Sequence, residues 1–368
     1  MGLRRSTVLR ALLCLVLAAA FTTSGVAQAQ VVPKYVYVDL GPVGLTSTAL
    51  DVNNAMQAVV TSGTAFRWEN GTLLNLGTLC SGCNPRRSYG TAVNDTGEVA
   101  GYTHVQTTEP PHAFVYRGGA MIDLGTGFGS GSSSAAWGIN SGGQVVGERT
   151  RSQSSPKRAA LWQNGTIRDL GTLGGTTTQR YATESIAYAI NDSGQVVGTA
   201  LPSKGYPLHG FVWQNGVMRD LGTLGGDGEA TEARDIADTG QIVGSSQNTG
   251  GEIHAFTWTA GTMTDLGTLG GDYSSAYGVN EHGRIVGGSR IADSPDPNNA
   301  GHAVLWTDGL MVDLNEHVTN LPEDVALEVA WSINDDGAIV GTTCSLYCEP
   351  GKTATPRGFL LVPQSATA

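Results

Sequence analysis

The amino-acid sequence predicts an all-β chain that closes into a seven-bladed β-propeller of four-stranded repeats, with an N-terminal strand completing the last blade. Three observations support this fold class. Three short blocks of sequence recur in the same order, seven times each. The repeats are rich in dipeptides such as Asn-Gly and Asp-Gly, which accept the positive φ of tight hairpin turns. A strand-like block also precedes the first complete repeat, and the last repeat lacks it.

The first block is a strand that ends in an aliphatic residue and Asn, followed by a turn with Gly, two aliphatic residues and another Gly. Taking the Asn as a marker, the seven copies lie at Asn53, Asn94, Asn140, Asn191, Ala237, Asn280 and Asn334. Their spacing runs from 41 to 54 residues, which is typical of propeller repeats. The block predicts a hairpin, and we expect the Asn side chain to cap its turn.

The second and third blocks form another hairpin. The second ends in an aromatic residue, as in residues 255–258 (Ala-Phe-Thr-Trp), and the third ends in Asp-Leu-Gly, as in residues 265–267. Turn dipeptides such as residues 164–165 and 215–216 (both Asn-Gly) join the two blocks. Each repeat therefore supplies four strands, which is the content of one propeller blade.

The strand before each marker shows how neighbouring blades can pack. A branched residue directly precedes every marker. The residues two and four positions before the marker are mostly small, as at Ala189 and Ala187. Because side chains alternate between the faces of a strand, the bulky face of one blade can fill the small face of the next. Asp51, Arg234 and Asp235 break this pattern.

The order of the blocks indicates how the ring closes. The first Asp-Leu-Gly strand, residues 35–41, precedes any complete repeat, and the seventh repeat stops after its third strand at residues 358–361. We expect residues 35–39 to supply the outer strand of the last blade, which leaves no unpaired edge in the ring. An open β-solenoid is the alternative, but it would not need matched end strands.

The first residues have the features of a targeting segment. A charged start at Arg4 and Arg5, an apolar run and a small-residue cleavage site at residues 27–29 are typical of a signal peptide. The predicted organisation is a signal peptide at 1–29, the propeller at 30–363 and a C-terminal tail at 364–368. No later segment is apolar for long enough to insert into a membrane. The predicted localisation is therefore secreted, either extracellular or periplasmic.

The net charge of the mature chain limits the kinds of partner that it can bind. Removal of the leader lowers Lys plus Arg from 21 to 18 against 32 acidic residues, so the formal charge becomes −14. An acidic chain without a basic stripe is a poor binder of nucleic acid and of anionic membrane surfaces. We therefore expect a glycan or a protein partner, bound by a monomer.

Residues 254–271 (His-Ala-Phe-Thr-Trp-Thr-Ala-Gly-Thr-Met-Thr-Asp-Leu-Gly-Thr-Leu-Gly-Gly) resemble the bacterial extracellular HAF-repeat family. The similarity covers nearly all of the mature chain, although Met56 stands where other copies carry Gly and Ala237 replaces the marker Asn. The resemblance implies export and a repeat fold. It implies no established activity, no cofactor and no catalytic residue.

Four cysteines remain in the mature chain, as the close pairs Cys80 with Cys83 and Cys344 with Cys348. Export favours disulfides, and a short turn brings the Cα atoms of each pair into bridging range. We predict two local disulfides. Cross-paired disulfides, a four-thiolate zinc site or free thiols are the alternatives.

Repeated histidines and aromatic residues are interpreted as structural. Histidines at equivalent positions of different blades diverge around the ring, whereas metal ligands must converge on one point. Aromatic residues at repeated strand positions are typical of the core between blades. The histidines are His112, His209, His254 and His302; the aromatic residues are Trp68, Trp162, Trp213, Trp258 and Trp306 in the second block, and Trp137, Tyr188, Tyr277 and Trp331 three residues before their markers. No metal, cofactor or catalytic site is predicted.

Loop length supplies the functional hypothesis. The longest connections emerge on one face of the ring, and long loops on a rigid scaffold are where binding usually resides. They lie at residues 77–90, 171–186, 288–301, 315–329 and 342–356. The leading hypothesis is a non-enzymatic extracellular binding module that holds a glycan or a protein on this face. A purely structural surface or envelope protein is another hypothesis.

An enzyme is the alternative hypothesis, in the form of a propeller-type hydrolase or lyase that acts on extracellular polysaccharide. Such an activity would need two or more of four side chains to converge with strongly shifted pKa values. The four are Asp51, Arg234, Asp235 and His282.

Overall fold

The computed structural model describes residues 32–41, 46–80, 82–83, 87–174, 184–203, 207–225, 229–292, 301–344 and 355–364, all within the compact unit Val32–Ala368. The predicted signal peptide lies outside these residues. The described part of the chain forms 28 β-strands and one 3-10 helix, Leu314–Glu316. Strand content of this kind confirms the all-β class.

The strands fall into seven groups of four, which we call blades one to seven. Blades one to three contain β2 (Thr48–Val52), β3 (Ala58–Ser62), β4 (Thr64–Glu69) and β5 (Thr72–Gly77); β6 (Ser88–Val93), β7 (Val99–His104), β8 (Pro111–Arg117) and β9 (Ala120–Asp123); β10 (Ser133–Ile139), β11 (Val145–Thr150), β12 (Arg158–Gln163) and β13 (Thr166–Asp169). Blades four and five contain β14 (Ser185–Ile190), β15 (Val196–Ala200), β16 (His209–Gln214) and β17 (Val217–Asp220); β18 (Thr231–Ile236), β19 (Ile242–Gln247), β20 (Ile253–Thr259) and β21 (Thr262–Asp265). Blades six and seven contain β22 (Gly270–Val279), β23 (Ile285–Ile291), β24 (His302–Thr307) and β25 (Leu310–Asp313); β26 (Leu327–Ile333), β27 (Ile339–Thr343), β28 (Gly358–Pro363) and β1 (Tyr35–Asp39).

Every blade is an antiparallel sheet in which neighbouring strands pair in the order just given. A single parallel pair, Ile253 with Tyr273, joins blades five and six into one eight-stranded sheet. The first strand of each blade contacts the first strand of the next, and β26 of blade seven contacts β2 of blade one. The blades therefore close into a ring with β2, β6, β10, β14, β18, β22 and β26 around its centre.

The ring is closed by β1, which pairs antiparallel with β28 from Tyr35 opposite Pro363 to Asp39 opposite Phe359. The Tyr35 side chain is fully buried, and the Tyr35 backbone N–H donates to the His317 carbonyl at 2.9 Å. This arrangement confirms the predicted outer strand of the last blade. The open solenoid is wrong, because the first described strand, β1, and the last, β28, share one sheet.

Small residues on the inner strands let the blades approach closely. The residue four positions before each marker is a fully buried alanine in six blades and the buried Gly90 in blade two. Phenylalanines of the second block, such as Phe211 and Phe256, are also completely buried, in the cores between blades. The predicted packing of bulky against small faces is confirmed at these positions.

The marker asparagines form a hydrogen-bonded ring. The Asn191 Oδ1 atom accepts the Gln195 N–H at 2.9 Å, which caps the turn as predicted. The Nδ2 group makes a contact that was not predicted: it donates to the backbone carbonyl of the marker residue in the next blade. These contacts run from Asn53 to Asn94, Asn94 to Asn140, Asn140 to Asn191, Asn191 to Ala237, Asn280 to Asn334 and Asn334 to Asn53, at 2.8–3.1 Å. Ala237 cannot make the contact, but there the Glu281 carboxylate accepts the Asp238 N–H at 2.6 Å, a bond between neighbouring turns that other blades also make.

Serines six residues before the marker make a second set of links between blades. The Ser134 hydroxyl accepts the Ala113 N–H and donates to the Gly125 carbonyl, both at 2.9 Å. Ser88, Ser185 and Ser274 make the equivalent pair of bonds. Each serine ties the inner strand of one blade to the third strand of the preceding blade and to the glycine at or just after the end of its fourth strand.

Candidate ligand-binding site in the central channel

A β-bulge occurs at the same place in all seven inner strands. The pairing register with the second strand slips at the residue three positions before the marker. A bulge re-aims a side chain and bends its strand. The seven residues at these bulge positions are Leu50, Thr91, Trp137, Tyr188, Arg234, Tyr277 and Trp331, and all of them line one cavity of about 280 Å³ at the centre of the ring.

The interpretation of the four aromatic residues before the markers as core is therefore wrong. Trp137, Tyr188, Tyr277 and Trp331 are half-buried and face the channel. Strict alternation along the strand would direct them between blades, but the bulge interrupts the alternation at this residue. The tryptophans of the second block do occupy the core as predicted: Trp162, Trp213 and Trp306 are buried, and Trp68 and Trp258 pack against the clusters between blades.

The large side chains that line the cavity come from five consecutive blades. Blades three to seven contribute Trp137, Tyr188, Arg234, Tyr277 and Trp331, which we call the aromatic arc, whereas blades one and two contribute Leu50 and Thr91. Within the arc, the ring centroids of Tyr277 and Trp331 lie 4.5 Å apart. The Trp331 indole N–H donates to the Thr342 hydroxyl at 2.9 Å, which fixes the orientation of the ring.

Arg234 stands in the middle of the arc. Its guanidinium lies 4.6 Å from the ring centroid of Tyr188 and 5.9 Å from that of Tyr277, and it forms an ion pair with the Glu232 carboxylate. Burial works against its charge, but Glu232 and the two tyrosines outweigh burial and raise the pKa of Arg234. The cavity therefore contains one permanent, already balanced positive charge.

Two buried carboxylates lie one residue beyond the bulge. Asp235 Oδ1 accepts the Ile236 N–H at 2.8 Å and Oδ2 accepts the Val279 N–H of the next blade at 2.9 Å. Asp51 accepts the Val52 and Val93 N–H groups in the same way. Burial raises the pKa of Asp235 to about 6, although the backbone hydrogen bonds oppose the rise.

Burial also raises the pKa of Asp51, although hydrogen bonds from the Ser332 hydroxyl and the two backbone N–H groups oppose the rise. The Ser332 hydroxyl donates to Asp51 Oδ1 at 2.6 Å. Each of the two carboxylates thus links its own blade to the next. The corresponding residues of blades two, three and four are Ala92, Gly138 and Ala189, so the ring does not require this link everywhere.

Three of the four side chains proposed for catalysis converge on the channel. Asp51, Arg234 and Asp235 line the cavity. His282 does not, because it lies exposed on a marker turn, where its backbone N–H donates to Asn280 Oδ1. His282 lies apart from the other three, since the marker turn carries it past the end of the inner strand.

A second cavity of about 250 Å³ lies at the marker turns and shares Asp51 and Asp235 with the first. Its acidic residues accept backbone N–H groups from neighbouring turns, as Asp238 does from Asp192 at 2.7 Å. In the described residues, no group of three or more His, Cys, Asp or Glu side chains is placed to hold a metal ion. The carboxylates at these turns are engaged in holding the blades together.

The repeated histidines each pair with the aspartate of the third block in their own blade. The Nδ1 to carboxylate distances are 3.0 Å for His112 with Asp123, 2.8 Å for His209 with Asp220, 2.8 Å for His254 with Asp265 and 2.6 Å for His302 with Asp313. Burial opposes ionisation of Asp313, but the hydrogen bond and charge of His302 lower its pKa. The pairs clamp adjacent strands of one blade and do not converge on a common point.

The cysteines agree in part with the prediction. Cys80 and Cys83 form a disulfide with their Cα atoms 5.5 Å apart, which rules out a zinc site or cross-pairing through these two residues. Cys344 is also disulfide-bonded, whereas Cys348 lies outside the described residues. Large parts of the connections 171–186, 288–301 and 342–356 lie outside them as well.

The cavity of the bulge positions lies on the side of the ring where those connections begin and end. The inner strands start on that side and run toward the marker turns, which line the second cavity on the opposite side. We call the first side the long-connection face. The aromatic arc therefore lies between the long connections and the two buried aspartates.

No protein-family model and no curated protein matches the sequence. Among solved structures, the chain is similar to a prolyl endopeptidase (12% identity, TM-score 0.54, covering 87% of this chain and 51% of that one). It is also similar to the extracellular domain of a protein described as a one component system from B. thetaiotaomicron (11% identity, TM-score 0.52, covering 90% and 40%). TolB from Acinetobacter baumannii is a more distant likeness (11% identity, TM-score 0.43, covering 87% and 64%).

This chain thus spans less than two thirds of each of those three proteins. At such low identity the likeness to the first two shows the fold alone, and it agrees with the propeller topology described above. Within the described residues, no helix has the length and apolar character needed to cross a membrane.

Proposed function

We propose that this chain is a secreted, non-enzymatic binding protein that holds a glycan or a protein partner on the long-connection face of the propeller. The cavity lined by the seven bulge positions carries the proposal. The geometry of this site repeats in every blade, but its side chains do not repeat. A pocket with aromatic walls and a few fixed polar groups on a rigid scaffold has the properties of a ligand site.

The two buried aspartates favour binding over catalysis. The carboxylates of Asp51 and Asp235 each accept one backbone N–H from their own blade and one from the next. Their oxygens are therefore engaged in hydrogen bonds between blades. A hydrolase or lyase acting on extracellular polysaccharide is the second candidate, because a pKa of about 6 at Asp235 is in the range that suits a general acid. Release of reducing ends from a polysaccharide, abolished by Asp235→Ala, would favour this candidate over the first.

Export and membership of the HAF-repeat family are part of the proposal. The Cys80–Cys83 disulfide supports export, because disulfides persist in oxidising compartments. Expression with residues 1–29 in a bacterial host should release a protein that begins at Gln30, as read by N-terminal sequencing. Retention of the leader on a cytoplasmic protein would overturn the secreted assignment.

Binding is tested with the purified chain from Gln30 onward, titrated by calorimetry against a panel of polysaccharides and cell-wall fragments. We expect saturable binding that is lost when the connection 288–301 or 342–356 is replaced by a short Gly-Ser loop. The matched control is Val217→Thr on the outer strand β17, which is 55% exposed and far along the blade from the channel. Absence of saturable binding to the panel and to proteins captured from culture medium would overturn the proposal.

A further inference from the structure

We infer that the central cavity receives one neutral sugar ring at the end of a glycan chain, with the aromatic arc contacting its apolar face and Arg234 donating hydrogen bonds to its hydroxyls. The inference rests on the proposed function and names its ligand class. It follows from the size of the cavity, from its charge and from the rigidity of its walls.

The size of the cavity limits the ligand to a single ring. Its volume of about 280 Å³ is at the small end of the roughly 300–1,000 Å³ that ligand pockets span. A polymer lying across the face would need a long groove, whereas this cavity is enclosed by inner strands from all seven blades. The accessible part of a glycan is therefore its terminal residue.

The charge of the cavity favours a neutral ligand. Aromatic cages bind cations through the ring faces, but here the Arg234 guanidinium already lies over Tyr188 and close to Tyr277. A second cation would have to compete with Arg234 for the faces of Tyr188 and Tyr277. An anion would meet Asp51 and Asp235, and the charge of Arg234 is already balanced by Glu232. A neutral ring with hydroxyl groups avoids both conflicts.

The walls of the cavity offer what a sugar ring requires. One face of a pyranose is a patch of C–H groups, which suits the flat rings of Tyr277 and Trp331, and its edge carries hydroxyls. The Arg234 side chain is 31% exposed and its fork of N–H donors is not consumed by one carboxylate. Trp331 is held by Thr342, so little ordering is needed on binding, which favours affinity.

The test uses the tryptophan fluorescence of the mature chain, because Trp137 and Trp331 line the cavity. The probes are methyl glycosides of glucose, galactose, mannose and N-acetylglucosamine, with choline as a cation and glucuronate as an anion. We expect a saturable change with at least one neutral glycoside and none with choline or glucuronate. Calorimetry with linear oligomers of the bound sugar should give one protein bound per chain, whatever the chain length.

Variants separate this inference from the proposed function. Trp331→Ala and Arg234→Ala should each weaken glycoside binding at least tenfold, Trp331→Phe should retain most of it, and Trp258→Phe is the control outside the channel. Unfolding midpoints by circular dichroism establish that the variants are folded. Glycan binding that survives Trp331→Ala and Arg234→Ala, binding only of choline or glucuronate, or stoichiometry that rises with chain length would each overturn the inference. Any of these results would leave the binding function intact.

Discussion

Two positions only three residues apart in each inner strand behave in opposite ways. The marker position is Asn in six of the seven blades, and its side chain bonds to the next blade. The bulge position has the same backbone geometry in every blade but holds Leu, Thr, Trp, Tyr, Arg, Tyr and Trp in turn. Where the fold requires a particular hydrogen bond, the residue repeats; where the fold only provides space, it varies. This contrast separates scaffold from candidate site within a single sequence.

The largest effect on the scaffold should come from a glycine that faces the bulge. A Cβ atom at Gly198 would lie 1.9 Å from the Ile186 carbonyl oxygen. We expect Gly198→Ala to lower the free energy of unfolding by about 3 kcal/mol, since overpacking of a tight site forces the backbone to shift. Urea denaturation measures the loss, and Gly129→Ala is the control because nothing lies within 4 Å of its Cβ.

Blade one carries Val60 at the position of Gly198. A whole blade can therefore adapt to a side chain at this place. If Gly198→Ala proved as stable as Gly129→Ala, the bulge would adapt equally well in blade four, and the close approach would not constrain the scaffold.

The next effect concerns the carboxylate beside the bulge and depends on pH. Burial raises the pKa of Asp235 from its ordinary 3.8 to about 6, so between these values the folded chain holds a proton that the unfolded chain has released. Stability should therefore fall as pH rises from about 4 to about 6, by up to about 3 kcal/mol, and stay level above this range. Urea midpoints across this range give the slope.

Asp235→Ala should reduce that slope, and the part that remains belongs to Asp51 and Glu148, because burial raises their pKa values as well. A variant with the wild-type slope would contradict the assignment to Asp235. Asp169 and Asp313 affect stability in a different pH range. Despite burial, hydrogen bonds from Arg158 and His302 lower the pKa values of these two carboxyls. Their contribution is present above about pH 4 and is lost as the pH falls further, so it does not interfere.

Substitutions in the ring of marker asparagines should be able to lower or raise the stability of the protein. Asn191→Ala removes the bonds to Gln195 and to the Ala237 carbonyl, and we expect a loss of about 2 kcal/mol for the buried groups left without partners. Ala237→Asn restores the side chain that blade five lacks and should add about 1 kcal/mol. Equal stability of the two variants in urea would show that the ring of asparagines does not hold the blades.

The smallest effect should come from the bulge position itself. Tyr188→Leu introduces the residue type that blade one carries there, and we expect it to change stability by less than about 1 kcal/mol, because the side chain lines the central cavity rather than a packed core. A loss larger than that of Asn191→Ala in the same assay would mean that the aromatic arc supports the ring.

The predictable part of this molecule is the part set by local sequence. Turn dipeptides and period-two alternation located the blades, and the incomplete last repeat located the partner of β1. The aromatic arc was missed because a bulge depends on hydrogen-bond register between strands, which residue type does not reveal. A signal was present nonetheless: the position of Trp137 and Tyr188 carries an aromatic residue in four of the seven repeats, whereas the positions on either side of it carry mostly small residues.

The irregular residues were a better guide to the candidate site than the regular ones. Asp51, Arg234 and Asp235 stood out by breaking the alternation, and all three line the channel. His282 was grouped with them on chemistry alone, and the turn places it elsewhere. Sequence distance from the marker, rather than residue type, decides which side chains reach the centre.

The pairing of β1 with β28 determines the order in which the blades can fold during synthesis. Residues 35–39 are synthesised before all the complete blades, yet their partner strand, Gly358–Pro363, is synthesised after those blades. Contacts so distant along the chain slow folding, and until they form, β1 and β28 each present an open edge to other chains. Blades one to six can assemble as they emerge, but the seventh is complete only when Gly358–Pro363 has been made, so loss of that strand would leave the ring open.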